Sequence, residues 1–321
     1  MEYIKAIKDE IEKVNSVKFL NMENSIMNNE IKLVSLTQDN VINIETMLKY
    51  NPRYSQSDYI DHSDEEIFKD VKKNYLDEIK NKNLEDINLK DIEGNNEHSS
   101  KYYIKAFKHK YFDTKSLKAK DNNIAEDKDY IKLLYIILRK INNENSTRVS
   151  IPAIIEITKE VSKNSPSKLI ESLKEPYKKD VNECDYKLIK DICIKANQKN
   201  GDDNSGRYNF SLATKFCHYM NFNIFNGTNY QDLFSIYDTV VKNNLEYYYY
   251  QEFRKKIPNE RSYLYSSSDL KKLEECEAQD FLVKKYKNFQ LIIDDILKKK
   301  NYIISRNGFD HLIWYTNKGS K

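Results

Sequence analysis

The chain has 321 residues, 39% of them hydrophobic, enough to bury a sizeable core in one large domain or two smaller ones. Its 53 basic and 50 acidic residues are intermixed and leave a net charge of only +3, so no global field directed at nucleic acid or membrane is expected. No apolar run approaches the roughly 20 residues of a membrane-spanning helix. The four cysteines, Cys184, Cys193, Cys217 and Cys276, form no CxxC pair and follow no secretory leader, which fits reduced thiols in a cytoplasm.

Only 6 glycines and 5 prolines punctuate the sequence, so element boundaries must be read from polar clusters and hydrophobic period. Ile4, Ile7, Ile11 and Val14 predict a helix over 2–14, and 31–36 reads as a short strand. Thr37 or Asp39 would cap a helix running to Tyr50, before Pro52 stops it. Ser63 with Glu66 has the spacing of a capping box, opening a helix that runs to about Lys80. The asparagine-rich stretch 81–100 reads as an exposed linker, and Tyr102–Phe112 sets aromatics among lysines before a polar break at 121–127.

From Lys128 onward the period sharpens. Tyr130, Leu133, Leu134, Ile137, Leu138 and Ile141 form a buried helical face. Helices follow at 153–163, 167–176, 184–198, 210–221 and 238–256. A long one spans 268–300 on Leu282, Tyr286, Phe289, Ile293 and Ile296, and a short one at 309–315 carries Trp314. The expected fold is mainly α: an N-terminal, mostly helical region over 1–125 and a helical domain over 126–321.

One stretch pairs residues suited to chemistry. On the helix 210–221, Leu212, Ala213, Phe216, Tyr219 and Met220 share an apolar arc with Lys215 at its edge, while Thr214 and His218 fall on the polar side. A lysine so placed has a buried stem and a partly desolvated amine, as a nucleophile requires, although a boundary lysine that carries its charge out to water has the same pattern. Asp238 stands where Phe234-Ser235-Ile236-Tyr237 turns into the next helix; it would either act as a carboxylate in a site or cap that helix. His218, one turn from Lys215, would be either a proton carrier beside it or a surface residue.

The order Ala213-Thr214-Lys215, an apolar helix, a break and then Ile236-Tyr237-Asp238-Thr239-Val240 resembles the catalytic segment of the helix-hairpin-helix DNA glycosylases, over residues 209–241. The resemblance implies a helical glycosylase-like fold over the C-terminal domain. It casts Lys215 as the amine that attacks the sugar C1′ and Asp238 as the carboxylate that stabilises the developing positive charge. Where that family's hairpin carries glycines, this chain has Asn209, Phe210 and Ser211, and 23 residues separate Lys215 from Asp238.

Tyr249, within the run Tyr247–Tyr250, followed by Arg254, Lys255 and Lys256, offers rings for stacking bases and cations for phosphates; the alternative places the rings in the core and the charges at a solvated helix end. None of the five histidines has a metal-ligand spacing, and no phosphate-binding or serine-hydrolase motif is present, so no metal or cofactor is expected. DNA binding with base excision is therefore the leading reading. A non-catalytic helical interaction protein is the alternative, supported by a faint resemblance, at Asp310 and Trp314, to helical proteins of mobile or defence loci.

Overall fold

Ser63 opens the first complete helix, α1 (Asp64–Val71), through a reciprocal cap. Its hydroxyl accepts from Glu66 N at 3.2 Å, and the Glu66 carboxylate accepts from Ser63 N at 2.8 Å. The computed structural model describes residues 36–42, 62–89, 98–120, 127–145, 147–196 and 207–314. The expected helix at 2–14 and nearly all of the strand at 31–36 lie outside these residues. So does the end of the helix beginning near Thr37, whose hydroxyl accepts from Asn40 N at 3.2 Å.

Beyond α1 the backbone widens into a π-helical turn, Lys72–Leu76, that buries Tyr75 and Leu76. The expected linker departs from its exposed reading where it is described. Leu84, in a 3-10 turn, and Ile87 and Leu89 are all buried, because three apolar residues among polar ones suffice to pin a segment to a core. Helix α2 (Ser100–Tyr111) buries Tyr102, Tyr103, Phe107 and Tyr111, and a two-residue antiparallel ladder follows, β1 (Phe112–Asp113) with β2 (Lys118–Ala119).

Helix α3 (Lys128–Glu144) buries the face that its period marks out, including Leu133, Leu134, Ile137, Leu138 and Ile141. At its end the Asn142 amide copies a backbone pair, its Nδ2 donating to Val149 O at 3.1 Å and its Oδ1 accepting from Val149 N at 2.9 Å. Serine caps and early prolines open α4 (Ile151–Val161) and α5 (Pro166–Lys178), where a missing N–H costs nothing. The helix expected over 184–198 is only α6 (Lys187–Ile192). Lys195–Ala196 instead forms β3, antiparallel to β4 (Arg207–Tyr208). Helices α7 (Phe210–Ile224), α8 (Thr239–Phe253), α9 (Ser267–Leu270), α10 (Glu275–Lys299) and α11 (Arg306–Trp314) complete a mainly helical chain.

Two compact units result. The larger holds residues 57–237 and 263–290, and the smaller holds 1–56, 238–262 and 291–321. The division does not follow the boundary expected near residue 125, because α2 and α3, on either side of it, pack against each other in the larger unit. Among the described residues no helix is long and apolar enough to cross a membrane.

Candidate functional site

Helix α7 packs against α2, α3, α5 and α6, and eleven of its fifteen residues are buried. Only Ser211, Tyr219, Phe222 and Asn223 are half-exposed, so the polar residues on the other sides of the helix must find partners inside. The expectation that Thr214 and His218 face water is corrected accordingly: both are buried. Thr214 Oγ1 accepts from Tyr237 N at 3.1 Å, His218 Nδ1 lies 2.6 Å from Phe234 O, and the Asn221 amide donates to Tyr230 O at 2.8 Å and accepts from Leu233 N at 2.9 Å. A carbonyl can only accept, so His218 carries its proton on Nδ1.

These three residues lie four and three apart, one stripe along α7, and together they hold the backbone of the segment that leads to Asp238. From the other side Tyr286 OH donates to Ser235 O at 2.9 Å, and Gln290 Nε2 donates to Leu233 O at 3.0 Å. The segment belongs to no sheet, and side chains from two helices supply the pairs that a neighbouring strand would otherwise make. Thr214, His218 and Asn221 at helical spacing were the available sequence signal, but a stripe of polar residues reads the same whether it faces water or buried backbone, and Thr214 and His218 were read as a polar side.

Lys215 does not carry its charge out to water. It is 5% exposed, and its Nζ lies 3.5 Å from the carbonyl oxygen of Asn145, the C-cap of α3. Tyr219 OH donates to the Asn145 side-chain oxygen at 3.0 Å. A cation at the end of a helix meets carbonyls that have no intrahelical partner and the negative end of the helix dipole. Asp238 is the N-cap of α8, its Oδ1 accepting from Val241 N at 2.9 Å. One turn on, burial holds the Lys242 amine below its ordinary value, and the Asp238 charge partly offsets this. Lys215 belongs to the larger unit, and Asp238 opens the first helix of the smaller one after the break.

In the smaller unit Tyr249 is 3% exposed, and Tyr247 and Tyr248 are buried with it. A ring covered by its own core offers no face to a base, which corrects the assignment of Tyr249 to stacking. Arg254, Lys255 and Lys256 are exposed just past the end of α8, where Arg254 takes a left-handed conformation (φ 54°) and its N–H donates to Tyr250 O at 2.8 Å. A second cationic run, Lys298-Lys299-Lys300 at the end of α10, is brought to the same place by an ion pair between Lys300 and Glu252 at 2.7 Å. Arg261 and Asp295 pair nearby. Sequence reading missed this meeting, since more than 40 residues separate the two runs.

The larger unit also carries a cleft lined by Asp64, Lys108, His109, Asp113, Thr114 and Lys120. Its charges largely answer one another. Lys108 lies 3.8 Å from Asp64, Lys120 donates to the His109 carbonyl, and Asp113 accepts from Lys115 N at 2.9 Å and Ser116 Oγ at 2.7 Å. No cluster of three metal-ligating side chains occurs among the described residues. Family models, curated proteins and solved structures were all compared with this chain, and none matches it.

Proposed function

We propose that this protein binds DNA through the basic end of its smaller unit, and that Lys215 and Asp238 serve the fold. The observation that carries the reading is the half-buried Lys300–Glu252 ion pair, which brings the exposed Lys298 and Lys299 beside the exposed Arg254, Lys255 and Lys256 on a chain whose net charge is only +3. Two helix C-termini also end here, and part of the positive charge offsets their dipoles, about half an elementary charge each. The cations outnumber that demand. The fold role of Lys215 and Asp238 is supported by their contacts with the ends of α3 and α8.

A salt titration tests the binding. Each neutralised phosphate on a duplex should add about −0.9 to the slope of log affinity against log salt. Replacing Arg254, Lys255, Lys298 and Lys299 by Gln should flatten that slope. If no salt-dependent binding exists, the non-catalytic interaction-protein reading replaces this one. Borohydride trapping on abasic DNA tests the chemistry separately: an adduct that disappears in Lys215→Ala, while the variant stays folded, would restore Lys215 as a nucleophile and base excision with it.

A further inference from the structure

We infer that the loop after α10 is a base-stacking tip, with Tyr302 as its platform, and that the preferred partner of the basic patch is single-stranded nucleic acid. This rests on the DNA-binding reading above and narrows its substrate. The helix closes with Tyr302 N donating to Leu297 O at 2.9 Å, five residues back, and with Asn301 in the left-handed conformation at φ 54°. Such a closure needs one left-handed residue, and asparagine tolerates the position. Here Tyr302 is left-handed as well, also at φ 54°.

A bulky side chain in that conformation is a steric outlier, usually kept only where something else recovers the strain. Packing within the smaller unit does not recover it. Tyr302 is 64% exposed and Ile303 is 55% exposed, the two most exposed large apolar side chains among the described residues. Two residues before Tyr302, Lys300 makes the ion pair that joins the two cationic runs, so the loop that carries the ring follows directly on the positive patch. A π-face beside several cations is the arrangement that holds unpaired bases on a tethered phosphate backbone. In duplex DNA the bases are already stacked on one another and give the ring nothing to cover. An anionic membrane is the weaker fit, because the loop offers two apolar side chains and no amphipathic helix face to insert.

The test uses the full chain, a labelled oligothymidylate and a duplex of the same length, with thermal melting to verify folding. Tyr302→Ala should weaken oligothymidylate binding about tenfold, within the range for loss of one stacked base, while duplex affinity and both salt slopes stay unchanged. Tyr302→Trp should bind at least as well as the original. Tyr302→Asn, which suits a left-handed position, should melt no lower than the original and still lose affinity for the single strand. Unchanged oligothymidylate binding by Tyr302→Ala, with the steep salt slope intact, would overturn the stacking tip and leave the DNA reading standing. Absence of binding to either oligonucleotide would remove both. Binding to phosphatidylserine vesicles that Tyr302→Ala abolishes, with oligothymidylate binding unaffected, would also overturn the inference and make the loop a membrane contact.

Discussion

Helix α7 and the shared end of α8 and α10 both carry lysines next to aromatic residues, yet they do opposite things with them. In α7, packed by four neighbouring helices, Lys215, Thr214, His218 and Asn221 are buried and all turn to backbone groups of other segments. At the end of α8 the rings go inward and the cations stay in water. A polar residue in the first setting is held by the free-energy cost of leaving a partner buried and unpaired; in the second it is available to a ligand. Candidate chemistry therefore has to be judged by what surrounds a side chain, not by its type.

The largest effect should come from the packing of α7. Phe216→Ala should cost about 3–5 kcal/mol in urea unfolding, whereas exchanging Arg254 or Lys255 for Gln should move stability by no more than about 0.5 kcal/mol. A small loss for Phe216→Ala would mean that α7 is not the centre of the larger unit. Next comes the polar stripe. Thr214→Val keeps the shape and removes the acceptor for Tyr237 N, at a cost of about 1–3 kcal/mol. Hydrogen exchange at the Tyr237 amide should accelerate, and protection equal to the original would show that the stripe does not hold the segment.

The α8 cap is a smaller effect. Asp238→Ala should lose about 0.5–2 kcal/mol, and Asp238→Asn much less, since asparagine caps nearly as well. Equal losses in the two variants would point to a need for the charge itself. The smallest effect is set by pH. Burial, followed by the Lys120 ammonium, holds the His109 ring below its ordinary value, against the opposing pull of Glu65 and Asp64. Because the folded ring binds its proton less readily than the unfolded one, its contribution is present above about pH 6.5 and is lost as pH falls from there toward the folded value. His109→Asn should therefore flatten the dependence of the unfolding midpoint on pH below neutrality; a slope identical to the original would assign that dependence to other groups.

Local signals were legible wherever a short-range interaction dictates structure. The Ser63–Glu66 box, the apolar face of α3 and the body of α10 are readable because caps and hydrophobic periods act within one or two turns, although the helix expected from 268 is broken after Leu270 and resumes only at Glu275. The capping role of Asp238 was one of two readings on offer, and the structure gives its geometry. Less of the candidate site was readable. Lys215 sits at the edge of an apolar arc, but α3 supplies the carbonyl it faces, some 70 residues upstream. The helix expected over 184–198 stops at Ile192 because the following residues pair with Arg207–Tyr208, a tertiary gain that overrides helical propensity.

By itself the sequence determined a mainly helical chain of nearly balanced charge, with the Ser63 cap and the buried face of α3 where polar spacing and period put them, because each depends on neighbours a few residues away. Tertiary structure alone decided that the polar side of α7 is an interior seam, that the tyrosine run of α8 is core and that two distant lysine-rich runs meet. Each of these depends on which surfaces exclude water from which side chains, and that is fixed only when segments far apart in the chain pack together.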